Sequence, residues 1–481
     1  MSGCRQGPHG PHGPIPPNRY AAVNRLLISA AHKSSGKTTL SLGLCAAFHR
    51  RGLAVQPYKK GPDYIDPMWL GLASGRSCEN LDFYLMQPAE IRARFAQRAR
   101  GADLAIVEGN KGLYDGLDLD GSNSNAALAK LLGLPVILVI DARGMTRGIA
   151  PLILGYQAFD SQVNIAGVIL NQLGGSRHEA KLRAVIEHYT DIEVLGAVHH
   201  DPSMGMVERH LGLIPANEAS GATAKIDAIA SLVAAQVDLD RVAEVAASAT
   251  PFTASSGVFP ALPGPDVRIG YARDAAFGFY YPGDLDALRA AGAEIIAFDT
   301  LKDARLPAVD GVFIGGGFPE VHMQALESNH ALREDLHRAI EAGMPVYAEC
   351  GGLMYLTRSL SWHGQRCEMV GVLPADTVMH ERPQGRGYVR LRPVGPELWP
   401  SPSPAEIRGH EFHYSSLENV SPDLDYAYEV VRGTGIDGRR DGIVYKNTLA
   451  CYSHMRDLES NHWAARFVAF VRASAKLRAA G

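Results

Sequence analysis

The chain has 481 residues, more than one compact core usually accommodates, so we expect two domains. A hydrophobic content of 46% excludes a mainly disordered protein. The net charge of −4, without any long block of Lys and Arg, argues against nucleic-acid binding and favours a small-molecule substrate.

The ends and the cysteines of the chain indicate its compartment. Residues 1–22 are rich in Pro, Gly and His and lack the apolar segment of a secretion signal, so we predict a disordered tail. No apolar run approaches the roughly 20 residues needed to cross a bilayer, so no membrane insertion is expected. The six cysteines are scattered, without the spacing of a disulfide framework or a zinc site. This usage is typical of a cytoplasmic protein.

Short apolar runs alternate with longer amphipathic ones in the first half of the chain. The runs cover residues 26–29, 53–56, 104–107, 135–140 and 165–170. Strands that are apolar throughout and separated by helices predict a parallel sheet covered on both faces. We therefore expect an α/β domain over residues 23–245.

The composition changes to Ala, Ser, Thr, Pro and Gly at residues 246–265, which predicts a linker. The alternation then resumes, with apolar runs at residues 267–271, 294–298, 311–314 and 345–348. A second α/β domain is expected over residues 266–475.

The first candidate site is a phosphate-binding loop at the junction of the first predicted strand and helix. Its backbone N–H groups and helix start would hold phosphates, Lys37 would add a positive charge, and the Thr38 hydroxyl would reach Mg²⁺. Ala31 stands where the usual motif has its first glycine, but the strand-to-helix context is that of a nucleotide site. The predicted nucleotide-binding residues are Ser35, Gly36, Lys37, Thr38 and Thr39.

Acidic residues follow the next two predicted strands. They are Asp63 and Asp66 after one strand and Glu108 and Asp115 after the other. A single such acid is typically a loop cap. Several of them at the carboxyl ends of neighbouring strands predict a site for Mg²⁺ and a nucleotide such as ATP. Asn171, just after another strand, is compatible with reading the nucleotide base or with forming a turn.

The second candidate site is Cys350, between a predicted strand and a helix that starts with Gly351. Glycines there allow the sharp turn of a nucleophile elbow, and a helix start favours a thiolate. A buried structural cysteine would not need them. Gly316 and Gly317, at the end of an earlier strand, offer N–H groups for an oxyanion, although a plain tight turn is the alternative.

A cysteine nucleophile needs a base, and three histidines are candidates. His454 follows an apolar run near the end of the domain, where the last strand should return to the elbow. His410 and His413 are alternatives that could also bind substrate or serve structure. The spacing alone only slightly favours His454.

Several motifs together, in the same order, resemble the cobyrinate a,c-diamide synthase family over nearly the whole chain from Arg25. They occupy residues 60–67, 108–116, 209–213, 273–277, 315–320 and 348–352. The resemblance implies a P-loop domain like dethiobiotin synthetase, joined to a flavodoxin-like class I glutamine amidotransferase domain.

The resemblance also implies a reaction. Cys350, with His454 as base, would release ammonia from L-glutamine, and Mg-ATP would activate an acetate of a tetrapyrrole polycarboxylate for amidation. It implies Thr38, Glu108 and Asp63 as Mg²⁺ ligands. It implies a tetrapyrrole carboxylate site lined by Tyr64, Asp66 and Asp115. The oligomeric state stays open, and a homodimer is compatible with the sequence.

The chain departs from the family pattern at three places. Residues 108–112 read Glu-Gly-Asn-Lys-Gly where Glu-Gly-Val-Met-Gly is usual, and residues 121–124 read Gly-Ser-Asn-Ser where Gly-Ser-Thr-Ala is usual. Lys111 could pair with a different set of carboxylates, which makes sirohydrochlorin or sirohaem an alternative substrate. Arg456 stands where most class I amidotransferases carry the Glu of a catalytic triad, so the third member is missing or supplied from elsewhere.

Two other classes of protein share parts of this pattern. A partitioning-type ATPase switch would have the same loop and sheet, but it would not need Cys350. A pseudo-enzyme or tetrapyrrole-binding chaperone would be expected to lack Lys37, Cys350 or His454, and the chain carries all three.

Overall fold

A computed structural model describes residues 23–206, 208–209, 212–251, 264–400 and 403–480. The predicted tail at residues 1–22 and most of the predicted linker lie outside the described residues.

The first half of the chain alternates strands and helices. In chain order they are β1 (Asn24–Ala30), α1 (Lys37–Arg50), β2 (Val55–Lys60), α2 (Ile65–Ser74), β3 (Glu79–Leu81), α3 (Pro88–Arg98), β4 (Leu104–Glu108), α4 (Asn125–Leu132), β5 (Val136–Asp141), α5 (Ile149–Phe159), β6 (Ile165–Leu173), α6 (Ser176–Tyr189), β7 (Val194–His199), β8 (Glu208–Arg209), β9 (Gly212–Leu213), α7 (Ala222–Gln236) and α8 (Leu239–Ala247).

Seven of these strands form one sheet in the order β3-β2-β4-β1-β5-β6-β7, and all their pairings are parallel. The central strand β1 is buried on both faces. Leu26 and Ile28 pack in one core with α1 and α7, and Leu27 packs in the opposite core with α4. The predicted parallel sheet with two covered faces is therefore confirmed. Parallel order also brings the carboxyl ends of the strands to one edge.

One predicted strand is misplaced. The run at residues 53–56 predicts a strand that ends before the two lysines, but β2 begins at Val55 and continues through Lys60. All six of its residues are buried. The charged end stays in the sheet because Lys59 forms ion pairs there with acidic side chains.

The second half of the chain contains more strands than the first. In chain order the elements are β10 (Val267–Ala272), β11 (Phe277–Phe279), α9 (Pro282–Ala290), β12 (Ala293–Phe298), β13 (Gly311–Ile314), β14 (Gly316–Gly317), α10 (Met323–Ser328), α11 (His330–Glu341), β15 (Val346–Glu349), α12 (Gly351–Leu356), β16 (Thr357–Trp362), β17 (Gln365–Glu368), β18 (Leu373–Met379), β19 (Gly385–Pro393), β20 (Ile407–His413), β21 (Ser415–Glu418), β22 (Asp425–Arg432), β23 (Arg440–Tyr445), β24 (Thr448–Cys451) and α13 (Trp463–Ala480).

The main sheet here has nine strands in the order β12-β10-β13-β15-β24-β23-β22-β19-β20. It is parallel from β12 to β24 and antiparallel from β24 to β20. A separate four-stranded sheet has the order β17-β16-β18-β21. The α/β prediction is confirmed for this half, and the antiparallel extension is an addition that the apolar runs did not indicate.

The two halves meet through buried polar contacts. Arg456, after β24, forms an ion pair with Glu79 of β3, and both side chains are 1% exposed. The first half ends with α8 at Ala247, and the second begins with β10 at Val267. Within the described ranges, no helix is long and apolar enough to cross a membrane.

Candidate active site

The turn between β1 and α1 has the backbone of a phosphate-binding loop. Gly36 precedes the helix with a left-handed φ of 86°, which glycine adopts without steric cost. A Cβ at this position would also collide with the Asn171 side chain. Lys37, Thr38 and Thr39 line a cavity of about 520 Å³, which is of the size that a small-molecule ligand requires.

Two of the predicted nucleotide-binding residues brace this loop from within. Asn171 Nδ2 donates to Ser35 O (2.9 Å), and Ser35 Oγ donates to His32 O (2.9 Å). Asn171 lies within β6 and lines the cavity, so a turn is not its role. The Ser35 side chain is buried inside the loop.

Three carboxylates and one buried lysine meet beside Thr38. Thr38 Oγ1 donates to Glu108 Oε1 (2.8 Å) and to Asp66 Oδ2 (3.3 Å). Lys59 Nζ pairs with Glu108 Oε1 (2.7 Å) and with Asp66, and lies 3.8 Å from Asp63 Oδ2. Sequence reasoning missed Lys59, although it directly precedes the motif at residues 60–67.

Asp63 also has a structural role. Its Oδ1 accepts the N–H groups of Ile65 (2.9 Å) and Asp66 (3.2 Å) at the start of α2. The loop-capping role that the sequence left open for a single acid is therefore confirmed for Asp63. Its other oxygen faces Lys59.

Burial and neighbouring charges shift several pKa values at this site. Burial opposes the charge on Lys59, but Asp66, Glu108 and Asp63 outweigh it and raise the pKa of Lys59 well above its usual value. Burial raises the pKa of Glu108, and burial together with Asp66 raises the pKa of Asp63 to about 7. Burial lowers the pKa of Lys37. Three carboxylates thus surround one buried lysine.

The loop after β4 presents two predicted substrate residues to solvent. Asp115 Oδ2 accepts the Gly112 N–H (2.8 Å), and Asn125 Nδ2 donates to Gly112 O (2.8 Å). Lys111 has a left-handed φ of 42°. Both Lys111 and Asp115 are exposed. The charge of Asp115 acts on the pKa of Lys37, which places it near the phosphate-binding loop.

Cys350 occupies a strained turn between β15 and α12. Its φ is 48° and its ψ is −103°, a conformation that residues other than glycine rarely adopt. The Cys350 N–H donates to Cys451 O (2.7 Å), which ties the turn to β24. The turn has the backbone geometry of the nucleophile elbow that the sequence predicts.

Glycines allow the backbone to pack closely around the elbow. A Cβ on Gly351 would lie 3.1 Å from Gly317 N, and one on Gly352 would collide with the carbonyl oxygen of Ile314. A Cβ on Gly316 would lie 2.6 Å from His454 Cε1. The structure thus brings the predicted oxyanion glycines, the elbow and the predicted base together.

His454 follows β24, which pairs in parallel with β15 and places Cys451 opposite Glu349. Its Nδ1 lies 3.4 Å from Glu349 Oε2, and both side chains are almost fully buried. Burial alone would lower the pKa of His454, but the neighbouring Cys350 and Glu349 side chains raise it to about 10. Sequence reasoning missed Glu349, although it directly precedes Cys350.

The two alternative histidines have other contacts. His410 stacks on His454, with ring centroids 4.9 Å apart, and burial lowers its pKa well below the usual value. His413 stacks on Tyr452 (3.9 Å) and its Nδ1 contacts Ser415 O (2.8 Å). His454 is therefore the candidate base that the structure places against Cys350.

Tyr64 lies at the boundary between the two domains. Its ring centroid is 5.3 Å from that of Phe279 and 5.2 Å from that of His454. With Cys350 and His454 it lines a second cavity of about 360 Å³. Tyr64 does not border the nucleotide cavity, unlike Asp63, which borders both.

These two sites define a class of protein, an ATP-dependent amide ligase that hydrolyses glutamine. Residues 27–213 match the CobQ/CobB/MinD/ParA nucleotide binding domain. Residues 268–462 match the CobB/CobQ-like glutamine amidotransferase domain. ATP and glutamine are thus its substrates.

Similar proteins extend the comparison to the whole chain. A cobyrinate a,c-diamide synthase of Magnetococcus marinus is 47% identical over 94% of this chain and 97% of its own length. One of Methanosarcina acetivorans is 41% identical over 95% of this chain and 97% of its own length. A solved glutamine amidotransferase, 14% identical, covers 43% of this chain and 98% of its own with a TM-score of 0.32, too low to carry an argument. The chain belongs to the cobyrinate a,c-diamide synthase family.

Proposed function

We propose that this enzyme amidates acetate side chains of cobyrinate, using ATP to activate each carboxylate and glutamine to supply the nitrogen. The observation that carries the proposal is that Asp63 and Ile65 line both the cavity of Lys37 and the cavity of Cys350. Ammonia released in water is mostly protonated and unreactive, so a producing site next to a consuming site is an advantage. The name of the relatives supports cobyrinate as the substrate.

The second domain would carry out the glutaminase half-reaction. The Cys350 thiol gives its proton to His454 Nε2, and its sulfur bonds to the amide carbon of glutamine. N–H groups near Gly317 and Gly351 would stabilise the oxyanion. As the carbon–nitrogen bond breaks, His454 returns the proton and ammonia leaves. Water, deprotonated by His454, then hydrolyses the thioester to glutamate and restores Cys350.

The first domain would carry out the ligase half-reaction. The terminal phosphoryl group of ATP passes to an acetate carboxylate, which gives an acyl phosphate and ADP. Ammonia attacks the acyl carbon, phosphate leaves, and the excess proton is lost to solvent or phosphate. Lys37 and Lys59, both buried beside the cavity wall, would balance the negative charge of the transferring group.

Mg²⁺ fits the residues beside Thr38. Glu108 Oε2 is buried and has no hydrogen-bond partner among the described residues, and Thr38, Asp66 and Glu108 present oxygens to one another. Within the described ranges, no group of three or more His, Cys, Asp or Glu side chains is placed to hold a metal ion on its own. Mg²⁺ needs none, since it is usually held by one or two carboxylates plus phosphate oxygens. When bound, the ion would neutralise the triphosphate, with Thr38 and Glu108 as ligands and Asp66 closer to them than the capping Asp63.

The tetrapyrrole would approach over the exposed loop after β4. Asp115 and Lys111 project from that loop, where Lys111 could pair with a peripheral carboxylate of the macrocycle. Asp66 would contact the reacting acetate from inside the site. A substrate role for Tyr64 requires the macrocycle to reach the domain boundary.

Other predictions are supported less directly. The five cysteines of the described ranges are free and buried, which suits a reducing cytoplasm. The division at residues 246–265 and a homodimer stay predictions. A partitioning-type switch does not account for the amidotransferase domain at residues 268–462.

The test is mass spectrometry of products made from ATP, Mg²⁺ and glutamine, with cobyrinate and sirohydrochlorin offered in parallel. We expect two amides on cobyrinate. Amidation of sirohydrochlorin alone would show that the altered loop at residues 108–112 marks a different substrate. Glutamine hydrolysis without product from either would contradict both substrates and leave the cysteine site standing.

A further inference from the structure

The imidazole of His454 has a buried carboxylate next to the nitrogen that faces away from the oxyanion glycines. Glu349 Oε2 lies 3.4 Å from His454 Nδ1, which makes no hydrogen bond within the described residues, and the two side chains are 2% and 3% exposed. Gly316 lies against the Cε1–Nε2 side of the ring, since a Cβ there would lie 2.6 Å from Cε1 and 3.4 Å from Nε2. The ring is therefore held between an acid and the strand that lines the Cys350 cavity.

The carboxylate of Glu349 is itself fixed in place. Its Oε1 accepts the hydroxyl of Tyr347 (2.6 Å) and the N–H of Met455 (2.8 Å). These two donors occupy one oxygen and leave Oε2 turned toward His454. A rigid acceptor of this kind selects one tautomer of a histidine.

Arg456 occupies the position that usually carries the acid of a triad, and it makes other contacts. Arg456, two residues after His454, points away from the ring, pairs with Glu79 of the first domain and lies over the Tyr281 ring at 4.8 Å. The segment that carries the base is thereby tied to the ligase domain, and no acid can act from that position.

We propose that Glu349 is the positioning residue of the glutaminase, accepting the Nδ1–H of His454 so that Nε2 is the nitrogen that exchanges a proton with Cys350. The inference rests on the glutaminase half-reaction proposed above. The proton moves only between the Cys350 sulfur, His454 Nε2 and the departing nitrogen, while the Glu349 carboxylate orients the ring and stabilises the imidazolium. The raised pKa of His454 agrees with this arrangement.

The groups that face the His454 ring define what a pH experiment reports. They are Glu349 and Cys350 from the elbow, His410 stacked at 4.9 Å, and Tyr64 at 5.2 Å from the first domain. Glu349 supplies the fixed negative charge among them. Its removal should lower the pKa at which the cysteine–histidine pair loses its last proton.

The experiment compares Glu349→Gln with wild type in glutamine hydrolysis across pH. The amide keeps an acceptor for Tyr347 and Met455 but loses the charge. We expect kcat to fall about 100-fold. This is less than the roughly 10⁴-fold loss that follows when the acid of a serine triad is neutralised, because a thiol is a better nucleophile than a hydroxyl and depends less on its base. KM for glutamine should stay within about 3-fold because Glu349 does not touch the substrate. The alkaline limb of the profile should move to lower pH.

Asp441→Asn is the matched control. Asp441 is a buried carboxylate that accepts the N–H groups of Tyr452 and Ser453 (3.0 Å each), so it supports the same segment without touching His454. It should leave the alkaline limb in place. The proposal would be overturned if Glu349→Gln kept a near-normal kcat and an unmoved alkaline limb. It would also be overturned if the alkaline limb moved equally in both variants. Glutamine hydrolysis that survives Cys350→Ser would instead refute the proposed function.

If Glu349→Gln does not fold, wild-type protein decides the question. Proton NMR should show a downfield Nδ1–H resonance that disappears in His454→Asn. Its presence supports the hydrogen bond to Glu349, and its absence from folded wild type counts against it.

Discussion

Replacing Lys59 by Met tests whether the pocket beside Thr38 is a cation site. Lys59 is the buried cation between three carboxylates, of which Glu108 is held at 2.7 Å. Methionine has a similar length and suits the buried environment, so the main loss is the positive charge. The carboxylates would then repel one another without compensation.

The magnitude follows from the geometry. Opposite charges 2.7 Å apart attract by about 6 kcal/mol at an effective dielectric constant of about 20. Removing one partner of a buried pair usually costs about 3 to 5 kcal/mol. We expect a loss in this range without Mg²⁺, moderated because Asp63 and Glu108 already have raised pKa values and can take up a proton.

The assay is urea denaturation at neutral pH, with and without Mg²⁺. Mg²⁺ at about 100 times its dissociation constant should return about 2.7 kcal/mol to Lys59→Met. Wild type should gain less because Lys59 already occupies the place between the carboxylates. Lys60→Met is the control, since Lys60 donates to the neutral Asn110 Oδ1 (3.2 Å). A loss below about 1 kcal/mol, or no recovery with Mg²⁺, would refute the assignment of a cation site.

Three further predictions concern the second domain and its junction with the first. Gly352→Ala drives a Cβ into a backbone oxygen of β13. In thermal unfolding we expect the free energy of unfolding to fall by at least about 1 to 3 kcal/mol. Glutaminase activity should be lost, while amidation with ammonium salt persists. Normal glutaminase activity would contradict the elbow. Arg456→Met removes the partner of Glu79 across the domain boundary, but Arg98 still pairs with Glu79 at 2.9 Å. We therefore expect the free energy of unfolding to fall by about 2 kcal/mol, less than the usual cost of a broken buried pair. A change of less than about 0.5 kcal/mol would show that this ion pair does not hold the domains together. Burial lowers the pKa of His410, so between its folded pKa and about 6.5 the unfolded chain binds more protons. In that range the free energy of unfolding decreases as the pH is lowered. His410→Gln should reduce this acid sensitivity when free energies of unfolding are compared at pH values above and below that point, and an unchanged slope would contradict the shift.

The apolar runs predict the parallel sheets well because a strand buried on both faces must be apolar throughout. The same rule ends β2 too early, since Lys59 and Lys60 look like loop residues until their partners are known. Those partners come from another strand, and sequence spacing does not report that distance. The antiparallel strands β19 and β22 lack the continuous apolar signal because each mixes buried with exposed residues.

In the candidate sites too, the sequence reveals local motifs but not contacts between distant parts of the chain. The loop around Lys37 and the elbow at Cys350 are local motifs, so the sequence reveals them directly. Glu349 was missed because the search for a third member followed the usual position after the histidine. Tyr64 was assigned to substrate from its motif, yet it packs across the domain boundary against His454. Contacts of this kind depend on how the domains meet, which no local pattern encodes.

In the proposed reaction, Cys350 releases from glutamine the nitrogen that the ATP site consumes. The most direct measurement is mass spectrometry of cobyrinate after reaction with ATP, Mg²⁺ and glutamine labelled with ¹⁵N in its side-chain amide, in wild type and in Cys350→Ser. We predict labelled amides with wild type, and with Cys350→Ser amides only when ammonium salt is added. Labelled product from Cys350→Ser would contradict the account.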